Sequence, residues 1–180
     1  PKHDEVDSLF RKATDGIRIF QTPDRKYKIY CCEDRYGSSG RFDCVYLQYV
    51  KEGQAEWNQI ADWGQKKYSN QQIDKISSFL HNEQTYYVLI SSCYNVAYFE
   101  IITIEYGNFT THSEFYPEQF QNNIKGGCIE FYGGLDSYVN LEFDPQTLTI
   151  KSTYMEMVEK QGGNFSYKEK EQKIIKLNIE

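Results

Sequence analysis

From Ile17 onward the sequence is a succession of short apolar runs, each rich in Val, Ile, Tyr and Phe and each cut off by Gly, Pro, Asn or Asp. A helix needs apolar residues at i, i+3, i+4 and i+7, whereas a half-buried strand needs them at every second position. Residues 96–106 (VAYFEIITIEY) follow the second rule in their later half. Ile102, Ile104 and Tyr106 fall on one face, Thr103 and Glu105 on the other. This period-2 patterning predicts an all-β chain. Composition agrees, with 16 Tyr and 11 Phe against 2 Met, a bias toward residues that suit pleated sheets.

Strands are expected at 17–22, 27–33, 42–50 and 55–60, joined by Pro23-Asp24-Arg25-Lys26 and Lys51-Glu52-Gly53-Gln54, where Pro, Asp and Gly meet the demands of tight turns. A second group comprises 73–80, 85–92, 96–106 and 109–115, with turns at His81-Asn82-Glu83-Gln84 and Gly107-Asn108. After a loop at 117–127, strands are expected at 128–132, 138–143, 148–154, 165–167 and 173–178. Residues 4–13 (DEVDSLFRKA) carry a helical period in Val6, Leu9, Phe10 and Ala13; Ile73, Ile76 and Leu80 also fit one, but the turn at 81–84 leading into 85–92 favours a hairpin there. The expected fold is a single antiparallel, meander-rich β domain over 1–180 of about 10–12 strands, a sandwich or partly open barrel. A short N-terminal helix and lead-in occupy residues 1–15. An incomplete propeller-like arrangement is the alternative, although rings are usually closed by about four blades or more. At 180 residues such a chain buries about 70% of its unfolded surface, enough for a core without metals.

The formal net charge is −6, and the cations sit in scattered pairs such as Arg25-Lys26 and Lys66-Lys67. Nucleic-acid binding needs clustered cations to neutralise phosphates, so it is set aside. No apolar run approaches the roughly 20 residues of a membrane-spanning helix. The start Pro1-Lys2-His3-Asp4 lacks a basic and apolar leader, so any signal peptide is expected to have been removed already or never to have existed.

Five cysteines are present, three of them within residues 30–44 (YCCEDRYGSSGRFDC). Adjacent strand residues point to opposite faces, so at most one of Cys31 and Cys32 can meet Cys44 across a hairpin. Cys31 follows Tyr27 and Ile29 onto the expected core face, leaving Cys32 and Cys44 as the disulfide candidate. Closing a loop of about a dozen residues would stabilise the fold by roughly 3 kcal/mol in the chain-entropy model. The alternative is that all three are reduced and act as small buried hydrophobes. Their spacing does not suit zinc, and Gly37-Ser38-Ser39-Gly40 lacks the Lys and helix start of a phosphate loop. No metal or cofactor is expected.

Chemistry-bearing residues are sparse. His3, His81 and His112 are the only imidazoles. His112, in Thr-Thr-His-Ser-Glu, is the one placed to approach a carboxylate along a strand. Asp136, Glu142 and Asp144 could serve as paired acids only at the separations glycosidases require. No catalytic residue is therefore assigned. Binding has more equipment: Trp57 and Trp63 flank Asn58, Gln59 and Asp62, and Tyr36 sits at the tip of the cysteine hairpin. Exposed aromatics beside amides and carboxylates stack on sugars or anchor protein partners. Asn108-Phe109-Thr110 and Asn164-Phe165-Ser166 match the glycosylation sequon.

The stretches Thr22-Pro23-Asp24-Arg25-Lys26-Tyr27-Lys28-Ile29-Tyr30 and Thr85-Tyr86-Tyr87-Val88-Leu89-Ile90 resemble a group of uncharacterised secreted or envelope-associated all-β proteins of gut anaerobic bacteria. Those proteins share a Pro-Asp-x-Lys turn leading into an aromatic strand, then a Thr-Tyr-Tyr hairpin. This chain departs from the pattern at Arg25, where the usual turn has Gly. The resemblance implies an exported protein, secreted, periplasmic or envelope-associated, and assigns no functional residue. The expected function is a non-enzymatic binding or accessory module for a glycan or protein partner. A small hydrolase using strand carboxylates or His112 and a lipocalin-like carrier of an apolar ligand are the alternatives.

Overall fold

The computed structural model describes residues 17–33, 42–61, 72–93, 95–125, 127–134, 136–160 and 164–179. Its described residues are all-β, thirteen strands in three antiparallel sheets with two short 3-10 turns and no closed barrel. The expected N-terminal helix lies outside the described residues. Contacts divide the chain into two compact units, Pro1–Gln72 with Ile104–Phe109, and Ile73–Thr103 with Thr110–Glu180.

The first unit is built on a meander of β1 (Ile17–Gln21), β2 (Lys28–Glu33), β3 (Phe42–Lys51) and β4 (Gln54–Ala61), paired in chain order. Ile29, Cys31, Val45 and Leu47 are buried on one face, as the alternation requires. The opposite face is also buried at its centre, where Tyr30 is 0% exposed. The Tyr30 hydroxyl donates to Gln48 Oε1 at 3.3 Å, and its ring packs 4.9 Å from that of Trp57. A tyrosine is tolerated there because its hydroxyl finds a buried acceptor.

The second unit holds most of a six-stranded sheet and all of a three-stranded one. The six are β5 (Gln72–His81), β6 (Gln84–Cys93), β7 (Val96–Glu105), β8 (Asn108–Thr111), β9 (Ile124–Lys125) and β10 (Cys128–Tyr132), in the order β5-β6-β7-β10-β9 with β8 also on β7. The three are β11 (Ser137–Asp144), β12 (Thr149–Glu159) and β13 (Phe165–Lys176). Val88, Ile90, Phe99 and Ile101 from the larger sheet and Val139, Leu141, Ile150 and Ile175 from the smaller share one core. Within this unit two sheets therefore pack as a sandwich.

Several boundaries differ from the expectation. The strand expected through 115 stops at Thr111, because Ser113–Phe115 winds into a 3-10 turn that buries Phe115. The expected loop 117–127 contains a second 3-10 turn, Glu118–Asn123, and then β9. The two expected strands at 165–167 and 173–178 are one strand, β13, which absorbs a bulge opposite Tyr154/Met155. Cys128–Tyr132 joins the second group's sheet by pairing with Val96–Glu100, a long-range choice that strand periodicity does not specify.

Candidate functional site

Three hairpin turns of the first unit meet around an open cavity of about 660 Å³. The turn after β1 supplies Arg25, Lys26 and Tyr27; the turn between β3 and β4 supplies Tyr49, Val50, Lys51 and Glu52; the β7–β8 turn supplies Ile104, Glu105 and Tyr106.

Each turn is fixed by its own residues. Thr22, buried, donates through Oγ1 to Asp24 at 2.7 Å and accepts from the Tyr27 N–H at 3.1 Å. Asp24 in turn accepts from the Lys26 N–H at 3.2 Å, and the Arg25 N–H closes the turn on the Thr22 carbonyl at 2.8 Å. The other two turns are left-handed pairs, Glu52-Gly53 with φ of 50° and 78°, and Tyr106-Gly107 with φ of 47° and 79°. Such pairs give the tight hairpin whose twist matches the strands, a geometry usually met by Asn-Gly or Asp-Gly. Gly107 has a second reason to be glycine, since a Cβ there would lie 2.6 Å from the Tyr49 ring.

Hydrogen bonds then seat the β7–β8 turn. The Asn58 side-chain amide donates to the Gly107 carbonyl at 2.7 Å, and the Tyr27 hydroxyl donates to the Ile104 carbonyl at 3.0 Å. Tyr49 donates to Glu56 Oε2 at 2.8 Å. Both phenols titrate above the ordinary tyrosine value, Tyr27 chiefly through burial and Tyr49 chiefly through its bond to the Glu56 carboxylate. They stand as neutral donors in a wall that also carries Arg25, Lys51, Glu52 and Glu105. Tyr106 is held differently, 80% exposed at the rim. The arrangement offers an aromatic surface beside charged and hydroxyl groups of both hydrogen-bonding senses, which suits a polar ligand with apolar patches.

Of the residues expected to bind ligand, Trp57 does not line this cavity. Trp57 is opposite Gln48 in register, on the face of the sheet away from Tyr49, and is 36% exposed with its ring against Tyr30. Trp63 and Tyr36 lie outside the described residues. Cys32 and Cys44 are directly opposite one another in the β2–β3 register. Tyr27, Tyr49 and Tyr106 were not singled out by sequence.

His112 is the centre of a second constellation, in the other unit. Its Nε2 lies 2.9 Å from Thr103 Oγ1 and its Nδ1 2.8 Å from Glu114 Oε1. The order hydroxyl, imidazole, carboxylate is that of a nucleophile relay. Thr103, however, is mid-strand and only 5% exposed, so a substrate carbonyl has no approach to its oxygen. Tyr86 packs edge-on to the imidazole with ring centroids 5.0 Å apart. The three groups satisfy one another, joining β7 to the chain that follows β8. Asp144, one of the candidate acids, is occupied by its own turn, accepting from the Gln146 N–H at 2.9 Å and the Thr147 hydroxyl at 2.8 Å. Those bonds hold its carboxyl below the usual value.

Fold and cavity together define the class: an all-β chain of antiparallel meanders carrying a tyrosine-walled cavity at converging hairpin turns. No family model, curated protein or solved structure matches it. No helix among the described residues is long and apolar enough to cross a membrane.

Proposed function

We propose that the chain is an exported, non-enzymatic binding module that takes a glycan in the three-turn cavity. One observation carries the reading. Three of the residues lining it, Arg25, Glu52 and Tyr106, hold φ of 61°, 50° and 47°, in the left-handed region where side chains are costly. Each such residue forgoes roughly 1 kcal/mol that Gly or Asn would largely recover. An arginine, a carboxylate and an exposed tyrosine at three such positions around one cavity support a role for those side chains in contact there.

Sugar recognition asks for an aromatic face against the C–H side of a pyranose and for charged or amide groups against its hydroxyls. Tyr106 supplies the first; Arg25, Lys51, Glu52 and Glu105 supply the second. The cavity volume falls within the range of about 300–1,000 Å³ usual for small-molecule sites. Export is supported by the opposed cysteines of β2 and β3 and by the resemblance of the Thr22–Tyr30 turn to secreted and envelope-associated proteins. The inaccessible Thr103 hydroxyl weighs against the hydrolase alternative, and three open sheets weigh against a carrier barrel.

The test is a glycan array spanning neutral and acidic sugars, followed by titration calorimetry on any hit with the native protein and with Tyr106→Ala. Binding that falls at least about tenfold in the variant, a loss of about 1.4 kcal/mol, supports the reading. Silence across the array, or hits whose affinity ignores Tyr106, overturns it and moves the search to protein partners.

A further inference from the structure

We infer that two copies of this chain pair edge to edge along β13, antiparallel and in one register, to give a symmetric dimer. Among the described residues β13 pairs with β12 alone and so forms one edge of its three-stranded sheet. An edge strand presents a row of backbone N–H and C=O groups that another strand can take up. At 12 residues β13 is the longest strand described, and nearly all of its side chains are exposed. They include the large apolar ones, Phe165 at 60%, Tyr167 at 54% and Ile174 at 71%.

The sequence of that edge is complementary to itself. Residues 165–174 read FSYKEKEQKI. Laid antiparallel on a second copy, with the two-fold axis between Glu169 and Lys170, the strand sets Lys168 against Glu171 and Glu169 against Lys170. Symmetry makes each pair occur twice. Phe165 then meets Ile174, and Tyr167 meets Gln172. Opposite charges and apolar pairs directly across a ladder are stabilising, whereas like charges are destabilising. A slip of one residue either way sets Lys168 against Lys170 or Glu169 against Glu171, so the neighbouring registers are penalised.

Residues that meet across the dimer must also lie on one face of the joined sheet, and the bulge in β13 provides this. Phe165 and Ile174 are an odd number of positions apart, which in a regular strand puts them on opposite faces. The ladder with β12 skips Lys170, pairing Tyr154 with Glu171 and Met155 with Glu169. Phe165 is therefore opposite Glu159 and Ile174 opposite Lys151, both odd-numbered positions of β12 and so one face. Lys168 and Glu171, opposite Glu156 and Tyr154, share the other face. Lys170 stands beside the axis, so the two bulges meet there and the arms on either side stay regular. Within one copy Lys170 is 3.1 Å from Glu156 and Lys173 is 3.2 Å from Glu171. Such exposed ion pairs contribute little, which leaves their side chains able to turn to a partner.

The experiment is sedimentation velocity of the full chain over roughly 1–100 µM, at low and at high salt. The expected result is a reversible monomer–dimer equilibrium without larger species, weakened by salt. Glu169→Lys and Lys170→Glu each set like charges across the axis and should each weaken the dimer at least about tenfold. An equimolar mixture of the two variants should recover it, because each altered residue then faces the opposite charge in the other copy. That recovery also shows both variants to be folded. Ile174→Lys, at an exposed position, should weaken the dimer with the melting temperature of the monomer unchanged. Monomers at every concentration would overturn the inference and leave the edge to a strand of another protein. Species larger than a dimer, a dimer indifferent to these substitutions, or a mixture no better than its components would overturn it as well.

Discussion

Tyr116 and Tyr106 are the two extremes of how this tyrosine-rich chain uses its commonest aromatic. Tyr116 is 1% exposed, and its hydroxyl works inside the second unit. Along one edge of β7, β10 pairs with Val96–Glu100, and the Ile101 carbonyl is taken by the His112 N–H at 2.9 Å. The Ile101 N–H at that junction donates to the Tyr116 hydroxyl at 3.1 Å, which itself donates to the Gly127 carbonyl at 2.8 Å. A phenol here repairs a gap in a sheet. Tyr106 is 80% exposed and occupies left-handed backbone. On the proposed reading the difference separates a tyrosine kept for stability from one kept for contact, and each side of it can be tested.

The largest effect is expected at the buried end. Tyr116→Phe strands a buried N–H and frees a carbonyl, which should lower unfolding free energy by about 2–4 kcal/mol, read as a shift in denaturant midpoint at unchanged m. Binding in the cavity should be untouched. Burial also pushes the Tyr116 phenol far above the ordinary value of 10.0. A group whose folded pKa is raised above its unfolded one leaves stability intact below the unfolded value. Above about pH 10 the unfolded chain loses the proton that the folded chain keeps, so stability falls as pH rises, by up to about 1.4 kcal/mol per pH unit from this residue. The Phe variant should lose that share of the alkaline slope. A slope unchanged by the substitution would mean that the phenol is not the titrating group.

The middle of the range belongs to Gly107, which joins the two regions' logic. Alanine there carries the left-handed penalty and drives a Cβ to 2.6 Å from the Tyr49 ring, which Glu56 tethers. Gly107→Ala should cost about 2 kcal/mol and also weaken any ligand of the cavity, since Tyr49 must turn. Melting and titration of one variant report both. A loss of stability with binding intact would detach the β7–β8 turn from the site.

The sequence made the strands legible because half-buried and fully buried strands alike concentrate β-branched and aromatic residues between turn formers. It also made legible the opposition of Cys32 and Cys44, which is local geometry of one hairpin. What it hid was long-range: that Cys128–Tyr132 would cross to β7, and that Tyr27, Tyr49 and Tyr106, each ordinary in its own strand or turn, would converge. Periodicity assigns faces within a strand and is silent on which turns meet. Trp57 is expected at a binding surface because large aromatics dominate such surfaces, yet the β3–β4 register turns that ring toward Tyr30. The buried Tyr30 and Gln48 show that polarity of composition does not report burial when the polar atoms bond one another.

The smallest effect in stability is the sharpest for the comparison. Tyr106 opens a left-handed turn for which Asn is among the favoured residues, so Tyr106→Asn should raise stability by about 0.5–1 kcal/mol, or roughly 1–4 °C in melting temperature. If the residue is kept for contact, the same substitution must weaken glycan binding by removing the ring at the rim. Stability and affinity then move in opposite directions at one position, the pattern expected of a residue retained for function against local preference. Tyr116→Phe should lose stability with affinity unchanged. Should Tyr106→Asn prove both more stable and equally able to bind, its backbone strain would have no counterpart in the cavity, and Arg25 and Glu52 would have to carry recognition without it.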